Sequence, residues 1–304
     1  MEECDGMSAN SRVLINNFEY LEPETVAEAI TILTKYGEEA KVIAGGTDVL
    51  VDMKKGRISP KYLIGLNKIP NLAYLVEDAS GLHIGARTTF REIEESGLIK
   101  EKYPLLLEAA SAMGTVQIRN MATIGGNICN ALPSADFPPA LVALDATIRI
   151  ACQSGERAMN LEEFPVGIRK TKLECCELLK EVQVKTLPTH SGTAFLKLGK
   201  TSEDLATVNT AVRLTLGNDR KCKAARIVVG GGVGPTLFRS RESEALLEGN
   251  IPDESLLREA AQAACKKMSC RPTSIRGSPY YKTEVTKVLV MRALTKALER
   301  ARVG

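Results

Sequence analysis

The sequence predicts an α+β protein of more than one compact unit, and three observations carry that expectation. Short apolar runs bounded by Gly, Pro or Asn recur through the first half of the chain and read as strands. Apolar stripes at helical spacing lie near the start and again at the end. Between them, the stretch from Thr186 to Gly192 gathers Pro, Gly and hydroxyl residues between two apolar runs, which marks the expected domain junction.

The first element is a helix: Pro23-Glu24-Thr25 precede Val26, Ala29, Ile30, Leu33 and Tyr36, and Gly37 ends the stripe. Strands are expected at Lys41 to Ala44, Val49 to Val51, Tyr62 to Ile64 and Leu82 to Ile84. Helical spacing returns from Leu105 to Met113. A strand is then expected from Leu141 to Ile150, before the polar turn Gln153-Ser154-Gly155-Glu156, and another from Leu178 to Val184. Beyond the junction, Val208, Val212, Leu214 and Leu216 alternate with polar neighbours as a half-buried strand should, and Ala225 to Val229 supplies a second strand. Two helices close the chain. Asp253 is the expected N-cap of the first, which carries Leu256, Leu257, Ala260, Ala261 and Ala264; the second carries Val285, Val288, Leu289 and Leu294.

With 304 residues, 44% of them hydrophobic and 25% charged, the chain is long enough to bury a sizeable core. A net charge of +3, spread without a basic run, gives no reason to expect a nucleic-acid partner. The segment from Met1 to Asn17 is polar and lacks the apolar stretch of a secretory signal, so a cytoplasmic location is expected. No apolar run reaches the roughly 18 residues of a membrane span. Cysteines stand at 4, 129, 152, 175, 176, 222, 265 and 270 without a C-x-x-C pair, and read as free thiols rather than a zinc or dithiol site.

Chemistry is carried by two glycine pairs, in Ile43-Ala44-Gly45-Gly46-Thr47-Asp48 and Ala122-Thr123-Ile124-Gly125-Gly126-Asn127. Glycine admits positive φ and lets backbone N–H groups approach a ligand, so such loops can cradle a pyrophosphate without lysine. Neither loop has the G-x-x-x-x-G-K-[ST] spacing, and no G-x-G-x-x-G opens a helix, which argues against an ATPase or a nicotinamide-binding Rossmann domain. Alone, a Gly-Gly pair is more often a tight turn. Its surroundings decide.

The second loop lies in Gln117-Ile118-Arg119-Asn120-Met121-Ala122-Thr123-Ile124-Gly125-Gly126-Asn127 and continues to Pro133-Ser134-Ala135-Asp136-Phe137-Pro138-Pro139. This combination resembles the flavin-binding subunit of molybdenum hydroxylases, the group of xanthine dehydrogenase and carbon monoxide dehydrogenase. The likeness runs from about Asn17 to Arg300. It takes in Ile84-Gly85-Ala86-Arg87-Thr88-Thr89, Gly167 through Thr171 with Leu173 to Leu179, and Ala194 to Lys200 with Asp204-Leu205-Ala206. In the last part it takes in Gly231 to Thr236, Arg276-Gly277-Ser278 and Tyr281. The chain departs from the pattern at Lys200-Thr201-Ser202, where a further aromatic or basic residue is usual, and at Arg87, where an apolar one is.

The resemblance implies a polar tail at 1–16 and a vanillyl-alcohol-oxidase-type FAD-binding domain at 17–186, in subdomains of about 17–70 and 71–186. A C-terminal α+β domain of sheet and helices follows at 187–304. It further implies non-covalent FAD between the subdomains, with Val42, Ile43, Ala44, Gly45, Gly46, Thr47 and Asp48 around the pyrophosphate. Gly114, Ala122 and Thr123 border the same ligand, Gly126 permits close approach, and Asn127 and Asp136 meet ribityl or ribose hydroxyls. Leu179 would contact the flavin, and a cation at Lys197 would favour the anionic reduced ring. His83 and His190 lie outside both loops, so covalent attachment is not expected, and Gly230 to Gly234, followed by Pro235, reads as a turn. No residue for substrate hydroxylation and no metal ligand is expected on this chain. Molybdopterin and [2Fe–2S] centres are expected on a large and a small partner subunit, with NAD⁺ or another acceptor taking electrons from FAD. Two other readings compete: a self-sufficient flavoenzyme like UDP-N-acetylenolpyruvoylglucosamine reductase, and a non-catalytic scaffold.

Overall fold

The computed structural model describes residues 17–272 and 274–303, so the tail expected at 1–16 lies outside the described residues. In the first unit β1 (Glu19–Leu21), α1 (Val26–Tyr36), β2 (Ala40–Ile43), α2 (Val49–Lys54) and β3 (Tyr62–Gly65) follow one another, and the strands pair in parallel in the order β1-β3-β2. Helix α1 begins where the Thr25 side chain accepts the Glu28 N–H, a cap of about 1 kcal/mol, and stops at Gly37, whose φ of 52° disfavours other residues. Its inner face buries Ala29, Ile30 and Leu33 against Ile64, Leu66 and Ile69.

The strand expected at Val49 to Val51 is instead the first turn of α2. A three-residue apolar run has no readable period, and here Leu50 N–H donates to the Gly46 carbonyl and Asp52 N–H to that of Asp48, closing helical turns directly after the glycine loop.

The second unit opens with β4 (Leu75–Asp78) and β5 (Gly81–Gly85). The short helices α3 (Phe90–Glu95), α4 (Gly97–Lys102), α5 (Pro104–Ser111), α6 (Val116–Met121), α7 (Ile124–Asn130) and α8 (Phe137–Ala143) follow. Then come β6 (Thr147–Cys152), β7 (Gly155–Asn160), the small pair β8 (Pro165–Gly167) and β9 (Lys170–Thr171), and β10 (Leu178–Val184). Its main sheet is antiparallel in the order β4-β5-β10-β6-β7. The strand expected from Leu141 to Ile150 begins only at Thr147, because Leu141 to Ala143 belong to α8. The overlooked signal was Pro138-Pro139, which sits in the first turn of a helix, where a missing N–H costs little. Helix α8 presents Phe137 to Phe90 edge-on, with ring centroids 5.0 Å apart.

The third unit is an antiparallel sheet of β11 (Ser191–Leu198), β12 (Val208–Leu216), β13 (Cys222–Gly230) and β14 (Phe238–Arg239), with α9 (Arg241–Leu247), α10 (Glu254–Ala263) and α11 (Pro279–Val303) after it. Asp253 caps α10 by accepting the Leu256 N–H. The half-buried expectation for β12 is corrected: all nine of its residues are buried. The alternation is real, with Val208, Val212 and Leu214 packed in one core with Val290 and Leu294 of α11. The other face meets the second unit instead of water, where Ala211 joins the core of Phe137 and Leu141, and Asn209 and Arg213 bond to Asp136 and Asp145. Among the described residues, no helix is long and apolar enough to cross a membrane.

Candidate functional site

The two glycine loops meet. A Cβ on Gly45 would lie 1.6 Å from the Met121 carbonyl oxygen, so only glycine lets the turn after β2 rest on the end of α6. Within the pairs only Gly46 has positive φ, at 71°; Gly45, Gly125 and Gly126 do not, so the expected conformational reason holds for one residue of the four. Gly125 is a packing glycine as well, since its Cβ would stand 2.7 Å from the Ala86 carbonyl oxygen.

Residues Val42 to Asp48 are all partly exposed, and among the described residues no amide from Ala44 to Asp48 donates to a protein acceptor. Five N–H groups without a partner among the described residues, in one short turn, are the donor set that an anion such as a pyrophosphate needs. Across from them, Thr123 caps α7 by accepting the Gly126 N–H at 3.2 Å, which leaves its own hydroxyl proton free to donate. Gly126 is exposed, and a Cβ there would meet only Thr123 Oγ1, at 3.0 Å. Asn127 Oδ1 is a buried acceptor without a donor among the described residues, as an atom awaiting a ligand hydroxyl would be. Gly114 takes φ 49°, and Arg119, itself paired with Glu94 at 3.1 Å, fixes that turn by donating to the Met113 and Gly114 carbonyls at 3.0 Å each. Unpartnered donors for phosphate and an unpartnered acceptor for a hydroxyl fit FAD.

Lys197 and Asp136 come together rather than apart. Lys197 Nζ donates to Asp136 Oδ2 and to the Ala112 carbonyl, each at 2.7 Å, and its side chain is only 8% exposed. Lys197 is therefore a buried side chain whose charge is compensated by Asp136. Asp136, expected to meet ligand hydroxyls, has both oxygens engaged, because Asn209 Nδ2 donates to Oδ1 at 2.9 Å. Burial pushes the Asp136 carboxyl above the usual range, opposed by the Lys197 charge and the Asn209 amide. Two of the three Lys197 protons are used, so one remains for a ligand.

Beside the first loop, burial likewise raises the Asp48 carboxyl, opposed by Arg169 and assisted by Asp52. Asp52 is buried and paired with Arg169 and, at 3.0 Å, with Arg57. The Arg169 N–H also reaches the Ala131 carbonyl just past α7, tying the two loops' supports together. Not every expected residue opens onto this space: Leu179 is 3% exposed within the main core, and Ala122 is buried. Asn209, Arg119 and Arg169 were missed by sequence reasoning. Asn209 read only as one of the polar neighbours in a half-buried strand.

Residues 16–186 match the family described as FAD binding domain in molybdopterin dehydrogenase, and residues 193–297 that described as CO dehydrogenase flavoprotein C-terminal domain. The chain is 36% identical over 287 residues to the 6-hydroxypseudooxynicotine dehydrogenase complex subunit alpha of Paenarthrobacter nicotinovorans, covering 94% of this chain and 96% of that one. It is 33% identical over 284 residues to the carbon monoxide dehydrogenase medium chain of Hydrogenophaga pseudoflava, covering 93% and 98%. A solved structure of carbon monoxide dehydrogenase from that organism, lacking the Mo-pyranopterin moiety of its molybdenum cofactor, matches with a TM-score of 0.90 over 93% of this chain and 98% of that one.

Proposed function

Since the chain belongs to the FAD-binding medium subunits of the molybdenum hydroxylases, an oxidoreductase family, we propose that it holds FAD across its two glycine loops and is the electron-transfer subunit of such a complex. The observation that supports the reading is the close approach of Gly45 to the Met121 carbonyl, which joins the two loops; the amides of residues 44–48 in one and Asn127 Oδ1 in the other have no partner among the described residues.

FAD, when bound, supplies a centre that exchanges electrons singly with iron–sulfur clusters and in pairs with a soluble acceptor. The chain binds and orients it. Amides from Ala44 to Asp48, with the Thr47 and Thr123 hydroxyls, donate to the pyrophosphate charge, and charge-assisted bonds of this kind are about twice as strong as neutral ones. Asn127 Oδ1 would accept from a hydroxyl, Gly126 would admit the ligand's close approach, and the remaining Lys197 proton would be available to the flavin. Val42, Ile43 and Gly114 border the ligand, while Ala122 and Leu179 pack in the core behind it. In such a complex FAD would take electrons from [2Fe–2S] clusters of a small subunit, reduced by a molybdopterin-bearing large subunit, and would supply them to NAD⁺ or another acceptor.

Copurification of the tagged chain from its native source tests the complex. Two further polypeptides carrying iron and molybdenum are expected, and the chain alone should not be bleached by xanthine or a similar aromatic substrate. A chain that purifies alone and is reduced directly by such a substrate would replace this reading with that of a self-sufficient flavoenzyme.

A further inference from the structure

Asn209 is fully buried at the centre of the third sheet, on the face of β12 that meets the second unit. In register it stands between Lys197 of β11 and Gly230 of β13, so the three residues form one row across the sheet. Its Nδ2 donates to the Ala135 carbonyl at 3.1 Å and to Asp136 Oδ1 at 2.9 Å, while its neighbour in the row, Lys197, holds Asp136 Oδ2.

The other end of the amide is unsatisfied: Asn209 Oδ1 has no donor among the described residues. It points at Gly230, where a Cβ would come within 2.3 Å of it and within 3.1 Å of Pro139 Cγ. A buried acceptor without a partner is destabilising, and an apolar residue of similar size would avoid that loss. The strand nevertheless carries an amide, and a glycine opposite makes room for it. What the amide supplies in return is two N–H bonds to Ala135 and Asp136, the segment at the start of α8 that holds the lysine at the candidate flavin site.

The geometry points to Asn209 as a positioning residue that sets the Asp136–Lys197 pair against bound FAD from the third unit, without touching the ligand. The assignment rests on the FAD reading above. Asn209 donates to one carboxylate oxygen and thereby leaves the other to Lys197. Without that bond Asp136 can rotate, and the lysine loses its fixed direction. The effect on FAD should therefore pass through Asp136.

A double-mutant cycle on the full chain reads this directly. Wild type, Asn209→Leu, Asp136→Asn and the double variant are stripped of flavin, and the Kd for added FAD is measured by quenching of its fluorescence. Asn209→Leu is expected to weaken FAD about tenfold in the wild-type background and by less than about twofold when Asp136→Asn is already present, since residues in one network are non-additive. Asn209→Ser, smaller and still able to donate once, should fold in any case and fall between. Equal affinity of wild type, Asn209→Leu and Asn209→Ser overturns the assignment while leaving the FAD reading intact. So does an equal loss in both Asp136 backgrounds, which is what a packing defect would give. If wild type itself takes up no FAD, the FAD reading fails and this assignment falls with it.

Discussion

A Cβ on Gly45 would have to displace the Met121 carbonyl, whereas one on Gly126 would meet only a threonine hydroxyl. Gly45→Ala should therefore cost both stability, by about 1–3 kcal/mol as overpacking does, and FAD retention. Gly126→Ala lies in α7 on an exposed face, where alanine favours the helix by up to about 1 kcal/mol, so it should leave Tm unchanged or higher while weakening FAD about tenfold. Thermal melts beside FAD titrations check both variants, and parallel losses in the two would show that Gly126 only packs. At the lysine, pairing with a buried carboxylate changes what a substitution does. In Lys197→Met, Asp136 loses its cation and takes up a proton, so the pair passes from neutral to neutral and the flavin potential should move little. Asp136→Asn instead leaves the cation uncompensated and should raise the potential by about 20–65 mV, the equivalent of roughly 1–3 kcal/mol. The sign for stability follows from burial: a carboxyl whose folded value is raised favours the fold at low pH and loses that contribution as pH rises. The Tm deficit of Lys197→Met should thus grow as pH rises above the ordinary carboxylate value of about 4. A deficit independent of pH would mean that Asp136 stays charged.

Among the elements, α5 is tied to the third unit by one carboxylate. Glu108 accepts the Phe195 N–H at 2.8 Å, Lys296 Nζ at 2.8 Å and Arg300 Nη2 at 2.7 Å. Burial alone would raise its carboxyl, but these bonds outweigh burial and hold it below the ordinary range. A carboxylate so depressed stabilises the fold above its ordinary value, and that stability is lost as pH falls through the lowered one. Glu108→Gln should accordingly melt lower than wild type at pH 7, with the gap closing below about pH 4. A gap that stays constant down to pH 3 would show that the charge contributes nothing. The same interface shows where sequence reading ran out. Period-two alternation located β12, yet Asn209, Arg213 and Thr215 looked like a solvent face because nothing local says that a second unit will cover them. Similarly, Val49 to Val51 and Leu141 to Ile150 were legible as apolar but not as helical, since a run that short, or one crossing an element boundary, has no period to read. Long stripes such as those of α1 and α10 were legible because caps and spacing agree, and that of α11 by spacing alone.

Across the whole molecule, the proposed FAD site draws on all three units: the turn after β2 from the first, α7 and Asp136 from the second, Lys197 and Asn209 from the third. Both glycine loops were legible because their chemistry is local to a few residues. Their meeting was not, since Gly45 and Met121 touch only once the fold brings them together. A ligand held by several units stabilises all of them, by about 2.7 kcal/mol at a hundredfold excess over Kd, so FAD should raise the melting of the chain as one transition. The central claim, that this chain carries FAD, is tested most directly by its flavin content. Purified protein is denatured by heat or acid, and the supernatant is chromatographed against FAD. One FAD per chain, released without covalent attachment, is the predicted result; a colourless, fully folded chain that releases no FAD and binds none when it is added would contradict it.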